Sequence, residues 1–504
     1  MTRSPLAYPL NRSADMDAGG AADLQTDIMR FMAILSLCLV AIFALVQSIP
    51  MTPTPPPEPQ VQDQPDTTVT VKETVAMTEV PETPAEPAPQ PPPETTVLLT
   101  RPKWVSKFVP TTTVEKRAPS AVQTPAPPEP VGDGLMLALA VLEKDADGRP
   151  VPQPAQLGIL AETGDGWIYK AVSDPDSNVF HKAMVYEPRA GETGILTAGG
   201  TGAFIKFWKD GSPTTLWTKK FGGKHSRMRD VEIADIFGDG IPSLAVATHD
   251  QGVVAVIKPS GDGWETIEID AEPNTFVHEI EVGDLDGDGV VEIYATPSLP
   301  NKLDGTAQPG WVVRYVPATG EGRIDVADLG DRHAKEILVD DVDGDGRDEL
   351  YVAIEAVAGG RVEIKRYDAD TDPAEGVLVA SLEDKLCRFL TAGDVDGDGA
   401  KEMVAAAHKS GLWLLKPGAD AAEQWSITSI DRNSGGFEHA ALLTDLDADG
   451  VDELYVANDN AGEINRYVWS DGSPQKTTLY THPEGLSGFT WNIMPIPAEL
   501  IPAD

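Results

Sequence analysis

The stretch DLDGDGVVEI at residues 284–293 decides the fold, because it is one copy of a repeated loop. Asp occupies the first, third and fifth positions of the loop, Gly the sixth and Glu the ninth. Further copies are DVDGDGRDEL from Asp341, DVDGDGAKEM from Asp394, DLDADGVDEL from Asp445 and a decayed DIFGDGIPSL from Asp235. Successive copies begin 49, 57, 53 and 51 residues apart. This period is too long for a two-helix repeat and is typical of a four-stranded propeller blade.

Short apolar runs flank each loop, as in EIEVG before Asp284 and EIYAT after the loop. Such runs predict two β-strands joined by the loop. The other two strands of a blade are visible in GVVAVIKPSGDGWETIEID (residues 252–270), which matches LGILAETGDGWIYKAVSD (residues 157–174). A second matched pair, WKDGSPTTLW and WSDGSPQKTTLY, begins at Trp208 and Trp469. We interpret these pairs as outer hairpins whose GDG segments are turns and not metal sites.

A second periodic position lies six residues before the first Asp of each loop and holds a basic residue or His. Matching FHKAMVYE and SGFTWNIM to the other copies extends the series, which is His181, Arg229, His278, Lys335, Arg388, His439 and Trp491. Its members are 48, 49, 57, 53, 51 and 52 residues apart. The series predicts an all-β fold, a seven-bladed β-propeller. The chain after Trp491 has room for one strand, so we expect residues 133–172 to supply that blade's other three strands and close the ring.

The loops have the chemistry of a calcium site. Calcium takes six to eight oxygen ligands, and carboxylates at positions 1, 3 and 5 with Gly at position 6 wrap the backbone around the ion, as in an EF-hand. With the Glu at position 9, the pattern predicts four Ca²⁺ sites. Their ligands are Asp284, Asp286, Asp288 and Glu292; Asp341, Asp343, Asp345 and Glu349; Asp394, Asp396, Asp398 and Glu402; Asp445, Asp447, Asp449 and Glu453. Clustered carboxylates repel one another, so we expect the stability of the fold to depend on calcium.

The repeated loops at this spacing resemble the FG-GAP and VCBS families, which include integrin α-chain propellers and many bacterial envelope and secreted proteins. The resemblance covers about residues 132–504 and implies calcium-binding loops on a propeller. The sequence departs from the family pattern in two ways. The FG half of the motif is only partly present, as at Phe180 and Phe437. The decayed loop carries Phe237 and Ser243 at its third and ninth positions, and we expect it to bind weakly or not at all.

The segment FMAILSLCLVAIFALVQSI at residues 31–49 has nineteen residues and no charge, close to the roughly 20 that cross a bilayer as a helix. Arg3, Arg12 and Arg30 precede it and no Lys or Arg follows until Lys72, so the positive-inside rule predicts a cytoplasmic N-terminus and an inner-membrane anchor. A cleaved signal peptide is the alternative. The predicted parts are a cytoplasmic tail at 1–27, a single transmembrane helix at 28–49, a Pro-rich disordered linker at 50–131 and a periplasmic or extracellular propeller at 132–504.

Two smaller features of the N-terminal part carry alternatives. Asp27 stands at the start of the helix in DLQTDIMRFMAIL, a stretch that weakly resembles the ExbD/TolR family, whose single helix carries a functional Asp. Its other interpretation is an interfacial carboxylate beside Arg30. In the linker, residues 101–117 form a basic island with aromatic residues, which is either a contact for an anionic envelope polymer or a solubilising patch.

The formal net charge of −41 argues against a nucleic-acid partner, because phosphate binding needs a basic stripe. The basic and His side chains of the series from His181 to Trp491, called the basic ring below, could converge at one mouth of the central channel. In that case we expect a positive funnel for an anionic ligand; the alternative is a packing role. We expect a binding or scaffold module for an envelope protein or anionic polysaccharide. The alternative is a lyase-type enzyme on acidic glycans, with Arg229 or Arg388 neutralising a uronate and His278, Lys335 or His439 as base. Convergence of these side chains on one pocket would favour the enzyme.

Overall fold

A computed structural model describes residues 130–222, 226–300, 306–357, 359–418, 425–483 and 487–502. The predicted tail, transmembrane helix and linker lie outside the described residues, apart from the last two linker positions. Among the described residues, no helix is both long enough and apolar enough to cross a membrane. Their only helical element is a short 3₁₀ turn, Ala498–Leu500. The described part of the chain is otherwise built from strands, as predicted.

Seven antiparallel sheets form the seven blades, which confirms the predicted propeller. Blade 1 contains β1 (Pro130–Lys144), a short β2 (Pro150–Pro152), β3 (Ala155–Thr163), β4 (Gly166–Asp174) and the last strand, β29 (Ser487–Ile496). The strands of blades 2 and 3 are β5 (Val179–Tyr186), β6 (Gly194–Gly200), β7 (Phe204–Lys209) and β8 (Ser212–Thr218), then β9 (Met228–Ala234), β10 (Ser243–Thr248), β11 (Val253–Ser260) and β12 (Gly263–Ala271).

Blades 4 to 7 each contain four strands in chain order. Those of blades 4 and 5 are β13 (Phe276–Gly283), β14 (Glu292–Ser298), β15 (Trp311–Val316) and β16 (Glu321–Asp328), then β17 (Ala334–Asp340), β18 (Glu349–Ile354), β19 (Val362–Tyr367) and β20 (Val377–Leu382). Those of blades 6 and 7 are β21 (Cys387–Gly393), β22 (Glu402–Ala407), β23 (Gly411–Lys416) and β24 (Ser426–Asp431), then β25 (Ala441–Thr444), β26 (Glu453–Asn458), β27 (Glu463–Ser470) and β28 (Ser473–Thr481).

Blade 1 closes the ring in the predicted way. Strand β29 pairs with β1 from Gly134↔Ile496 to Leu142↔Ser487, with one irregularity after Ala138. The blade thus takes β29 from the end of the chain and, as predicted, three long strands from the beginning of the propeller, with the short β2 as an addition. Because this pairing joins the two ends of the described propeller within one sheet, it closes the ring.

The core lies between neighbouring blades. The second strands, such as β18, β22 and β26, are buried at every position, because a blade packs on each of their faces. The fourth strands are more exposed, as in β8 and β28, and form the outer rim. The predicted outer hairpins, β3–β4, β7–β8, β11–β12 and β27–β28, are confirmed as the third and fourth strands of their blades.

The first strand of each blade connects the two predicted sites. In β9, Arg229 lies near the start, and the loop that begins at Asp235 follows the end. Six residues separate the two positions, which corresponds to about 20 Å along an extended strand. The acidic loops and the basic series therefore lie at opposite ends of the propeller.

Candidate functional site

The acidic loops bring most of their predicted ligands together. Thirteen of the sixteen predicted carboxylates fall into four groups whose oxygen atoms lie within 4.8 Å of one another. The loop from Asp341 gathers all four of its residues, and the other three loops gather three each. The predicted ligands outside these groups are Glu292, Asp398 and Glu453.

The first Asp of each complete loop organises the turn. The carboxylate of Asp284 accepts hydrogen bonds from the backbone N–H groups of Asp288 (3.1 Å) and Gly289 (2.8 Å). Asp445 makes the same pair of bonds, at 3.0 and 2.9 Å. The sixth residue has a positive φ, for example 82° at Gly289 and 95° at Gly450. Glycine adopts this conformation without steric cost, which explains its place in the motif.

The Glu at position 9 accepts a hydrogen bond from a backbone N–H of its own loop and is at most 4% exposed in all four copies. In Glu349, Oε2 accepts hydrogen bonds from the Val342 N–H (3.2 Å) and the Tyr351 hydroxyl (3.0 Å). Burial raises the pKa of Glu349 to about 7. The same cause raises the pKa of the equivalent Glu453 to about 7 and also raises that of Glu402. Position 9 thus fixes the loop, and in the loops from Asp341 and Asp394 it also reaches the acidic group.

A basic residue of the third strand reaches four of the five loops, and sequence analysis missed it. Arg314 is 2.7 Å from Glu292, Arg366 is 2.7 Å from Asp343, and Lys416 is 2.7 Å from both Asp396 and Glu402. In the decayed loop, Lys258 lies 3.2 Å from Asp239 and 4.6 Å from the centre of the Phe237 ring. The signal was available as a basic residue recurring in the third strand, at positions 258, 314, 366, 416 and 466.

The donor set of the four complete loops fits a hard cation. Each group offers carboxylate oxygens only, and Ca²⁺ prefers oxygen ligands in flexible numbers. The decayed loop from Asp235 is not among the acidic groups found in the described residues. Its apolar Phe237 and short Ser243 leave two ligand positions without a carboxylate, as the sequence indicated.

The eighth residue of a loop links it to the loop of the preceding blade; these residues are Asp348, Lys401 and Asp452. The Asp284 N–H donates to the carboxylate of Asp348 in the next loop at 2.9 Å, and the Asp394 N–H donates to that of Asp452 at 2.8 Å. Between them, Lys401 pairs with Asp340, the residue before the loop from Asp341, at 2.7 Å. Blades 4 to 7 therefore form a continuous chain of loop contacts.

At the other end of the propeller, four of the seven predicted residues line one cavity. These four are His181, Arg229, Arg388 and Trp491. The cavity encloses about 280 Å³, including its opening to solvent. Its remaining lining residues are Lys182, Asp230, Glu279, Phe389 and Asn492. The structure therefore brings part of the predicted ring together, with contributions from blades 1, 2, 3 and 6.

Both cavity arginines are held by aromatic rings and by a shared carboxylate. The guanidinium carbon of Arg229 lies 4.8 Å from the centre of the Trp491 ring, and that of Arg388 lies 4.9 Å from the Phe437 ring. Glu438, only 1% exposed, faces both guanidinium groups at 3.9 and 3.7 Å. These distances give ion pairs and are too long for hydrogen bonds. The mouth is therefore not the simple positive funnel that the sequence suggested.

A second carboxylate, Glu355, contacts Arg388 from another side and also contacts Lys335, the other cationic residue of the ring. It lies 2.9 Å from Arg388, 3.8 Å from Lys335 and 2.8 Å from His333. Burial and the charge of Arg388 lower the pKa of Lys335 to about 8. Burial by itself raises the pKa of Glu355, but Arg388 and Lys335 outweigh it and bring the pKa down to about 2.

The histidines of the ring are buried and neutral. His439 Nδ1 bonds to the carbonyl of Ala407 at 2.7 Å and its Nε2 to Ser434 at 2.8 Å. His181 Nδ1 bonds to the carbonyl of Met228 in the next blade at 2.6 Å. Burial lowers the pKa of His439 to about 4 and that of His181 well below its ordinary value. His439 therefore has a packing role, whereas His181 both packs and lines the cavity.

Below the mouth, the channel is acidic. Lys182 pairs with Asp230 at 3.0 Å and with Glu232. Burial by itself lowers the pKa of Lys182, but these carboxylates outweigh it and raise that pKa well above its ordinary value. Burial and neighbouring carboxylates raise the pKa of Glu279 well above its ordinary value. Sequence analysis missed this acidic layer. Its residues recur one or three positions after the residues of the basic ring, as Asp230 and Glu232 do after Arg229, so strand periodicity could have revealed it.

Comparisons with known proteins add a distant likeness. No family model matches the chain. A stretch of 232 residues is 26% identical to lambda-carrageenases from a Pseudoalteromonas species and from Pseudoalteromonas carrageenovora, covering 43% of this chain and 22% of each enzyme. The chain thus spans about a fifth of the length of these curated relatives.

Among solved structures, the propeller is similar to the periplasmic gluconolactonase of Pseudomonas aeruginosa, with 13% identity and a TM-score of 0.42. That alignment covers 72% of this chain and 99% of the gluconolactonase. The Dos1 propeller aligns with 8% identity and a TM-score of 0.43 over 70% of this chain and 85% of its own.

Proposed function

We propose that the protein is a calcium-binding β-propeller that recognises an acidic glycan of the cell envelope at the mouth of its channel, without catalysing a reaction. The observation that carries this proposal is the convergence of Arg229 and Arg388 on one cavity beside Trp491. Two guanidinium groups beside an aromatic ring suit a sugar that carries a carboxylate or sulfate group.

Burial decides how such a ligand is held. The Arg388 side chain is 5% exposed and the Arg229 side chain 10%, so only a protruding acidic group reaches them and the polymer stays outside. Glu438 and Glu355 hold the arginines in place, which reduces the ordering cost of binding. The likeness to lambda-carrageenases supports a polysaccharide as the ligand class.

The acidic loops stiffen the opposite end in this proposal. Four calcium ions would offset part of the negative charge of the acidic loops in blades 4 to 7, which contact one another through position 8. The predicted N-terminal helix would anchor the protein in the inner membrane, and the Pro-rich linker would carry the propeller to its ligand outside the membrane. An envelope protein is the other partner that this arrangement would suit.

A glycan-active enzyme is the second candidate, and Lys335 is the observation that favours it. A lysine with a pKa of about 8 is partly deprotonated near neutral pH and can accept a proton. Elimination next to a uronate would take the proton at the carbon beside the carboxylate and expel the glycosidic oxygen. Lys335 and His278 are not among the cavity-lining residues, however, and this placement favours the binding module.

The test is a binding measurement on the full chain in detergent with calcium, using uronate oligomers, sulfated galactan oligomers and a neutral oligosaccharide. A ligand at about a hundred times its Kd stabilises the fold by about 2.7 kcal/mol, which thermal unfolding detects. We expect stabilisation by acidic oligomers only, and its loss in Arg229→Ala and Arg388→Ala. Stabilisation that persists in both variants would contradict the proposal, and release of an unsaturated product that depends on Lys335 would establish the enzyme instead.

A further inference from the structure

Phe437 is an exposed aromatic residue next to the cavity. Phe437 is 37% exposed, and no other Phe, Trp or Tyr among the described residues is more exposed. Its equivalent in the next repeat, Phe489, is partly buried. Exposing an apolar ring to water carries a free-energy cost of about 25 cal/mol per Å² relative to burying it, so a ligand that covers Phe437 would gain free energy from the contact.

The ring of Phe437 is held in a fixed orientation. Arg388 covers one face at 4.9 Å, and Phe489 and His408 approach at 5.9 and 6.2 Å with interplanar angles of 62° and 86°. The backbone of its loop is also fixed, because the carbonyl of Gly436 bonds to His408 Nδ1 at 3.0 Å and the Gly435 N–H donates to Asn458 at 3.2 Å. The exposed part of the ring is therefore a preformed surface and not a mobile loop tip.

Arg388 connects this surface to the cavity. Its guanidinium group packs on Phe437 and also lines the cavity, so one side chain belongs to both features. A sugar ring has an apolar C–H face and polar edges, and such a face packs well on a flat aromatic ring. An anionic group on the same ligand would pair with the guanidinium group.

We propose that Phe437 is a stacking platform for a sugar ring adjacent to the one whose acidic group enters the cavity. The proposal rests on the glycan-binding function above and deepens it. Arg388 covers one face of Phe437, so a sugar that stacks on the ring would take the opposite face. A stacking distance of about 4.5 Å on that side, added to 4.9 Å on the other, separates the sugar from the guanidinium group by about 9 Å. A single sugar does not span this distance with its own acidic group, so the site recognises at least a disaccharide.

The experiment is isothermal titration of the full chain in detergent with calcium, using galacturonic acid against trigalacturonic acid, and galactose 6-sulfate against lambda-carrageenan oligosaccharides. The two pairs distinguish a carboxylate from a sulfate as the acidic group. The variants are Phe437→Ala, Phe437→Tyr and Arg388→Lys. Leu378→Ala is the matched control, because Leu378 is a similarly exposed apolar residue, at 48%, on the outer strand β20.

We expect Phe437→Ala to weaken the oligosaccharide about 3- to 10-fold more than the monosaccharide, the range of an aromatic stacking contact. A loss shared by both ligands would report the contact between Phe437 and Arg388. Phe437→Tyr should stay within about twofold of the wild type, because it keeps the ring. Arg388→Lys should weaken both ligand lengths. An unchanged oligosaccharide affinity in Phe437→Ala, with the Arg388 effect intact, overturns the platform alone. Failure of every acidic probe to bind the wild type overturns the glycan-binding function and the platform with it.

Discussion

Asp459 offers a test of the packing beneath the Phe437 loop. The Thr490 N–H of strand β29 donates to its Oδ1 at 3.2 Å, while its buried Oδ2 accepts no hydrogen bond. Burial raises the pKa of Asp459 to about 7. We expect Asp459→Asn to stabilise the protein above neutral pH, because the amide keeps an oxygen for Thr490 and never ionises.

The magnitude follows from the difference between the two pKa values. In the unfolded chain the carboxyl ionises around 3.8, and in the fold around 7. Between these values the native state binds more protons than the unfolded state, so the stability of the wild type falls as pH rises through this window. Three pH units correspond to at most about 4 kcal/mol. Below pH 3.8 both proteins carry an uncharged group with a buried donor, so their stabilities should converge.

The assay is urea unfolding of wild type and Asp459→Asn at several pH values between 4 and 8. A matched control is Asp431→Asn, which should show the opposite sign. Burial by itself raises the pKa of Asp431, but hydrogen bonds from the Asn433 N–H and the Tyr467 hydroxyl outweigh it and lower that pKa. That variant should lose stability at neutral pH and recover it in acid. A stability difference for Asp459→Asn that does not vary with pH, or a loss at pH 8, would refute the reasoning.

Three further predictions concern the loops and the ring. Removing calcium with EDTA should lower the melting temperature, since each site at a hundred times its Kd contributes about 2.7 kcal/mol; an unchanged temperature would argue against the calcium sites. Asp452→Ala should weaken calcium binding in the loop from Asp394 about tenfold in a titration, because that loop loses a charge-assisted hydrogen bond. Val291 holds the same eighth position in the loop from Asp284, beside the decayed loop, so Val291→Ala should leave calcium binding unchanged. His439→Gln should flatten the loss of stability on acidification between pH 6.5 and 4, worth about 3 kcal/mol in the wild type, because the folded imidazole stays neutral down to about 4 while the unfolded one charges at 6.5; an equal acid sensitivity in both proteins would contradict this.

The blade count and the ring closure follow from the sequence because their signals are local. The loop from Asp284 and the strands around it repeat as a unit, and the match of SGFTWNIM to the other copies identifies Trp491 as a member of the same series. Strand order inside a blade is set by short connections, so spacing alone predicts it.

The charge balance of the mouth did not follow from the sequence, because it depends on contacts between blades. Glu355 directly follows strand β18, and Glu438 lies in the connection between β24 and β25. Both carboxylates nevertheless contact Arg388. The contact between Phe437 and Arg388 depends on the conformation of the loop between β24 and β25, which the repeat pattern does not predict. No periodic pattern marks Glu438, which occurs in one blade only, and the position of Glu355 is acidic in only one other blade, as Asp459.

The two ends of the propeller are built on different sets of blades, and this division has a consequence. The complete acidic loops belong to blades 4 to 7, whereas His181, Arg229 and Trp491 come from blades 2, 3 and 1. Of the four predicted residues that line the cavity, only Arg388 belongs to a blade with a complete loop, together with the lining residues Glu279 and Phe389 and the adjoining Phe437. If calcium stiffens blades 4 to 7, its removal should loosen the Arg388 side of the cavity and leave the Arg229 side in place. We therefore expect chelation to weaken an acidic oligosaccharide more than an acidic monosaccharide, because the longer ligand depends on Phe437 as well as Arg388. Equal weakening of both ligands would indicate that the ring responds to calcium as a single rigid unit.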